Sequence, residues 1–594
     1  MQTITSRNEI DPKYKWDLAS MYPDRASWEQ DLETVKALAD ELAGYAGRLG
    51  ESGAVLLEAL QKSDGMNQLL EKVFVFARMK RDEDNANEEA QAMTDKVMAQ
   101  MAALGAKLAF FTPELTGLGD EKIERFLAEE PGLAMYRFFL ECVLREKEHV
   151  LSDAEESLLA RLGEVTSAPD DIFTMLNNAD LDFGEITGED GKPARLTHGS
   201  YITFLQSRDR RVREEAFTAL YKKFKGMINT IGATYAANCK MDVIRADIRH
   251  YSSARGAACF ADNVSEDVYD NLVKVINDNL PALHKYLKIR KRALGVDELR
   301  MWDMYAPLVS IPQKEIPYEE AKDMVMEALQ PLGEQYLSDL AHGFEDGWVD
   351  VYETPGKTSG AYSFGSYDSK PFVLLNYKGQ LQDVFTVIHE MGHSMNSFYT
   401  RRAQPFIYGS HSIFTAEVAS TVNENLLIKH LLATEKDPEM RKYLINFQLE
   451  GFRTTVFRQT MFAEFEHLVH KYLEEGGSLT PSWLCQTYDA LNSKYFGPDL
   501  VHDDLIQYEW ARIPHFYSAF YVYKYATGYS AAAAISDLIL KNGPDDYLKF
   551  LACGENDYPV ELLKIAGVDM SQPAPIESAM KTFSALVDEL DTLL

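Results

Sequence analysis

Cysteine is scarce in this chain: five in 594 residues, at Cys142, Cys239, Cys259, Cys485 and Cys553, with no Cys-x-x-Cys pair. That spacing argues against a disulfide framework and against a thiolate metal site, and it suits a reducing cytoplasm. Long apolar runs are missing too. No stretch of 18 apolar residues occurs, so no membrane span is expected, and the polar start through Ser6, Arg7, Asn8 and Glu9 has no apolar core of signal-peptide length. Positive charge falls short of negative, 60 Lys and Arg against 92 Asp and Glu, for a net charge of −32. Nucleic acid and anionic membrane would both be repelled, which excludes them as expected partners. Most of that charge reads as solvated surface, with attraction of basic substrates the lesser reading. Internal repeats, low-complexity tracts and long linkers are absent. Histidine is sparse, at 13 residues, so any close pair of histidines carries information.

What is present is ordinary globular composition, 46% hydrophobic and 26% charged, in a chain long enough for more than one core. Apolar residues recur at helical spacing through most of it, so the expected class is mainly α. Ser27 is the expected cap of a first helix, and Leu69 to Arg78 and Glu88 to Leu108 continue the pattern. Leu181 to Ile186 and Ala194 to Thr197, joined by Glu189-Asp190-Gly191, predict a small hairpin. That hairpin sets a domain boundary: residues 1–195 as an N-terminal helical domain, 196–594 as a catalytic domain. Helices follow over Ser207–Phe224, Val268–Leu294 and Tyr318–Leu340. Trp348–Tyr352, Gly360–Phe364 and Phe372–Tyr377 then read as short strands separated by turn residues. A small β-sheet therefore precedes the stretch Asp383 to His393.

In that stretch His389 and His393 stand four apart, so on a helix their rings face one point, with Glu390 beside them. Val384, Phe385, Val387, Ile388 and Met391 surround the trio with apolar residues, so the helix is expected to be buried. A bland alternative is an amphipathic helix with two satisfied histidines. Two histidines leave zinc short of its usual three protein ligands and open position. Asn396 and Tyr399 stand where a metzincin needs Gly and His, which excludes that class. Glu417 and Glu424 are the candidates for the third ligand. Ala416, Ala419 and Ser420 flank Glu417 and would let its helix approach closely, which favours it. Glu424, seven residues later, is either the ligand or an acceptor for a histidine ring nitrogen; both could also be surface acids. Asp383 suits a helix N-terminal charge better than a partner for a histidine.

With one position open, zinc would acidify a bound water and Glu390 could take its proton, then return it to a departing amine. The residues thus point to amide hydrolysis. A donor for the resulting oxyanion could come from the tail, where Pro514 and His515 are expected to open a helix. Tyr517, Tyr521 and Tyr525 would form one stripe of it, and Phe516, Phe520 and Tyr523 another. An aromatic stripe of this kind is also ordinary core.

Several segments in order resemble the M3 family of zinc oligopeptidases, and within it the oligoendopeptidase F group. They are Lys15-Trp16-Asp17-Leu18, Tyr22-Pro23, Gly356 to Tyr362, Leu374 to Tyr377, His389 to His393, Glu417-Val418-Ala419-Ser420 and Ile513 to Tyr517. The resemblance implies a two-lobed helical metallopeptidase with a deep central channel that admits short peptides. It implies Glu417 as third ligand, Glu390 as base and one Zn²⁺ per chain. It assigns His515 and Tyr523 to the intermediate, although the histidine-to-tyrosine spacing differs from thimet-type members, so Tyr517 or Tyr521 is an alternative to Tyr523. The strand at Gly360-Ala361-Tyr362 is similar to the family's substrate-binding edge, where a peptide could add through main-chain hydrogen bonds.

The expected function is therefore a cytoplasmic, monomeric zinc endopeptidase of short oligopeptides. An exopeptidase of the same fold, of dipeptidyl carboxypeptidase type, is the alternative. A non-catalytic peptide-binding protein with a structural zinc is a further one, disfavoured because structural sites are closed by four protein ligands.

Overall fold

Helical spacing of apolar residues translates directly into structure: in the computed structural model, which describes residues 6–309 and 315–594, helix accounts for 72% of those residues. The first five residues of the polar start lie outside the described residues. Among the described residues no helix is long and apolar enough to cross a membrane.

The chain divides into two compact units, each assembled from three separate stretches. One contains Met1–Glu148, Gln313–Leu427 and Ile535–Gly567; the other contains His149–Pro312, Ile428–Ala534 and Val568–Leu594. The sequence reading set its single boundary at residue 195. The hairpin there is present, with Glu185–Thr187 antiparallel to Pro193–Arg195, and it lies inside the second unit.

The first unit opens with the long helices Arg25–Ala43, Gly53–Glu83 and Glu88–Lys107. Asp24, not Ser27, caps the first of them: its side chain accepts from the Ser27 N–H, so the helix starts at Arg25, ahead of the expected cap. These helices bury Trp28, Leu32, Val73, Phe76 and Val97 against Phe372 and Leu374 of a three-stranded sheet. In that sheet Phe372–Leu374 is central, parallel to Val349–Asp350 and antiparallel to Tyr362–Phe364. The strand Tyr362–Phe364 is thus an edge. The loop leading to it is tied down by buried charge: Asp350 pairs with Lys357 at 2.7 Å and with Arg7. Asp82 accepts from Thr358 Oγ1 at 2.8 Å and Tyr362 Oη at 2.9 Å.

Among its described residues the second unit is helical apart from the hairpin and an isolated parallel bridge between Leu299 and Leu500. Ile228–Ile248, Glu266–Asp278, Arg458–Glu474 and Pro481–Phe496 are among its helices. Tyr235, Tyr269, Phe465, Tyr488 and Phe516 are buried within it.

Candidate metal centre

The histidine pair sits on the helix Leu381–Ala403. Asp383 starts that helix, accepting from the Gln380 N–H at 2.8 Å and the Lys378 N–H at 3.0 Å, so it serves the helix N-terminus. Pro405 follows the helix, and Gln404 before it is extended, as a pre-proline residue prefers. Val384, Phe385, Val387, Ile388, Met391 and Met395 are buried, as the apolar surround predicts. His389 and His393 remain partly open, their ring centroids 4.9 Å apart.

Glu417 comes from the next helix, Ile413–Thr434. Its Oε2 lies 3.4 Å from His389 Nε2 and 3.4 Å from His393 Nε2. Zinc bonds of roughly 2.0–2.1 Å at tetrahedral angles place neighbouring ligand atoms about 3.3 Å apart, so the three atoms fit that ion. Among the described residues, these three form the one such group of His, Cys, Asp or Glu.

Two close contacts make this approach feasible. Ala419 and Ser420 are small, and Gly392 opposes them: a Cβ at position 392 would lie 2.7 Å from Ser420 Cα. A glycine inside a helix costs about 1 kcal/mol relative to alanine, and here it allows two backbones to meet. The sequence reading used the small residues near Glu417 but not Gly392, although its place inside a helical motif is the signal.

Glu424, one further turn pair along the same helix, accepts from His389 Nδ1 at 2.6 Å. That bond fixes which ring nitrogen faces Glu417. Burial opposes charge on the His389 ring, but hydrogen bonds to Glu417 and Glu424 outweigh it and lift its pKa to about 10. Hydrogen bonds from His389 and His393 hold the Glu417 carboxylate well below its usual range.

Glu390 is 7% exposed. Burial pushes its pKa up, and the neighbouring histidines partly offset that push. The backbone N–H of Ser363, on the edge strand Tyr362–Phe364, also works against the rise. Ser363 Oγ meets Ser394 Oγ at 2.8 Å, so strand and helix are joined at the site. Gly360, just before the strand, is at φ +84°, a conformation glycine supplies without strain, and its carbonyl accepts from Asn376. Ala361 and Tyr362 are partly exposed beside it.

The remaining candidates lie in the second unit. The continuous helix expected from Pro514 does not form: Pro514–Tyr517 is a single 3₁₀ turn, and the helix proper begins at Tyr523. Between them Phe520 adopts φ +54°, which no helix accommodates. The stripes are broken accordingly. His515 is exposed, with Tyr521 stacked at 6.0 Å and Tyr525 Oη 3.4 Å from its Nε2. Tyr517 instead stacks on Phe173 at 4.4 Å, and its hydroxyl pairs with Thr234. Tyr523 is 1% exposed and packs on Tyr269. Tyr525, absent from the expected site residues, is thus the phenol that reaches His515.

The family model for peptidase family M3 matches residues 203–582, and that for oligopeptidase F matches residues 114–183. Oligopeptidase PepF of Bacillus subtilis is 45% identical over 594 residues, covering 100% of this chain and 89% of that protein. The crystal structure of oligoendopeptidase-F from Enterococcus faecium is 38% identical and covers 96% of this chain and 99% of its own, with a TM-score of 0.76. A protein of Chlamydophila abortus thought to be a peptidase is 34% identical, with full coverage of both chains and a TM-score of 0.92.

Proposed function

This chain belongs to peptidase family M3 and is a metalloendopeptidase of oligopeptides, and from that premise we propose how its residues carry out the reaction. One zinc ion per chain is held by His389, His393 and Glu417. The observation that carries this reading is the 3.4 Å spacing of Glu417 Oε2 from both histidine Nε2 atoms, with Glu390 on the adjoining helical position. When bound, zinc supplies Lewis acidity toward a carbonyl oxygen and acidifies water.

The chain's own residues do the rest. Glu390 takes the proton of the attacking water and returns it to the departing amine. Glu424 holds the His389 ring. The edge strand after Gly360 takes the extended peptide through main-chain hydrogen bonds, with Ala361 and Tyr362 in contact. By resemblance, His515 and a neighbouring tyrosine stabilise the intermediate, and Tyr517 and Tyr521 contact substrate. The contacts of His515 favour Tyr521 or Tyr525 for the phenol over the buried Tyr523. All five cysteines are free, which supports a reducing cytoplasm.

The test is metal analysis together with cleavage of a peptide blocked at both ends. One zinc per chain and an internal cut are expected. An intact blocked peptide alongside a digested free one points to the exopeptidase reading, and full activity of metal-free protein overturns the mechanism. Replacing His515 by alanine should lower kcat/KM at least tenfold; wild-type activity in that variant removes the tail from the reaction.

A further inference from the structure

Phe520 is held in the left-handed region, at φ +54°, where bulky residues are outliers. Strained backbone of this kind persists only where its surroundings over-determine it. Here they do. The Phe520 ring is 1% exposed, 4.8 Å from the His470 ring and 6.0 Å from that of Tyr269. Its backbone N–H donates to Glu466 Oε1 at 2.7 Å.

Glu466 is itself costly. It projects from the helix Arg458–Glu474, is 0% exposed, and its Oε2 has no hydrogen-bond partner among the described residues. Burial pushes its pKa up to about 8, with His470 opposing and Asp242 adding to the rise. An apolar residue would be the cheaper occupant of such a place unless the acceptor is used. Two unfavourable features, a buried carboxyl and a left-handed phenylalanine, thus meet in one hydrogen bond. Phe520 lies between His515 and Tyr521 in the chain, with Tyr521 the next residue. Tyr521 in turn stacks on His515, and its carbonyl accepts the Lys524 N–H at the start of the helix that carries Tyr525.

We propose that Glu466 is a positioning residue for catalysis: by accepting the Phe520 N–H it fixes the left-handed turn and so the mutual geometry of His515, Tyr521 and Tyr525. It touches no substrate, and its effect on the reaction runs through His515. The inference rests on the reading above that the His515 segment serves the reaction.

The test is a double-mutant cycle in the full-length, zinc-loaded enzyme, read as kcat/KM on an oligopeptide. Glu466→Gln keeps an acceptor oxygen at the same reach and should stay within about twofold of wild type. Glu466→Met keeps the volume without the acceptor and should lose about tenfold with zinc content unchanged. Added to His515→Ala, Glu466→Met should cost no more than a further twofold, because a positioning residue has nothing left to position. A merely structural role predicts losses that multiply. Multiplying losses, a wild-type Glu466→Met, or a Glu466→Gln as impaired as Glu466→Met would each overturn the proposal. If Glu466→Met does not fold, Glu466→Asp, one methylene too short to reach the N–H, takes its place in the same cycle. A wild-type His515→Ala overturns the reading beneath the proposal as well; an impaired His515→Ala beside an unimpaired Glu466→Met overturns the proposal alone.

Discussion

Glu424 Oε1 lies 2.6 Å from His389 Nδ1, so the ring that offers Nε2 toward Glu417 is oriented from behind by a second carboxylate. A partner of this kind fixes the tautomer and raises the basicity of the ligating nitrogen. Replacing it leaves the metal's own ligands untouched. Glu424→Ala should therefore weaken zinc binding by about 10- to 100-fold, measured by competition with a chromophoric chelator. At saturating zinc, kcat should recover most of its wild-type value. Unchanged affinity would mean that the 2.6 Å contact does not orient the ring.

Glu390→Gln separates binding from chemistry. The amide keeps the shape, but it cannot take a proton. Zinc content should stay at the wild-type level, because Glu390 is outside the ligand group. Cleavage should fall by about 10² to 10⁴, the range for loss of a general base. Stopped-time peptide assays beside metal analysis on the same preparation read both quantities.

Gly392→Ala tests whether the ligand set depends on two helices meeting backbone to backbone. The added methyl would sit 2.7 Å from Ser420 Cα and 3.1 Å from the Ala419 carbonyl oxygen, neither of which is a flexible side-chain end. The helices must part, carrying Glu417 away from the histidines. Overpacking of this sort costs about 1–3 kcal/mol, so the melting temperature should drop by several degrees. Zinc affinity should fall at least tenfold although no ligand has changed. A methyl tolerated with full zinc affinity would show that the helices have slack.

These residues also mark how far the sequence could be read. His389, Glu390 and His393 were legible because helical periodicity is local and puts them together without knowledge of the rest. Glu417 was legible through the small residues around it, since close approach needs them on whichever helix they fall. The three short strands were legible from turn punctuation. Phe520 was not: its neighbours read as helix, and what overrides that propensity is a hydrogen bond to Glu466, 54 positions away. The same long-range character hid the Ser363–Ser394 contact beside the site and the division into two units, whose stretches alternate along the chain. Local pattern finds ligands on one helix. Contacts between distant segments need the fold.

The buried Glu466 also makes a prediction for stability, independent of catalysis. Its pKa stands near 8 in the folded protein, above the ordinary carboxyl value of 4.5, because burial disfavours the charged form. The groups facing it are His470 and Asp242, the phenols of Tyr235 and Tyr269, and the Phe520 N–H. Between these two pKa values the folded state holds a proton that the unfolded state has lost, so stability falls as pH rises. The contribution of the neutral carboxyl is fully present below about pH 4.5 and is lost as pH climbs through about 8. Each pKa unit corresponds to about 1.4 kcal/mol, so the whole effect amounts to a few kcal/mol. Glu466→Gln is neutral at every pH and escapes it. Thermal melts should therefore show the variant close to wild type at pH 5 and several degrees more stable at pH 9. Parallel melting curves across that range would mean that Glu466 is already ionised in the fold, with His470 as its counter-charge.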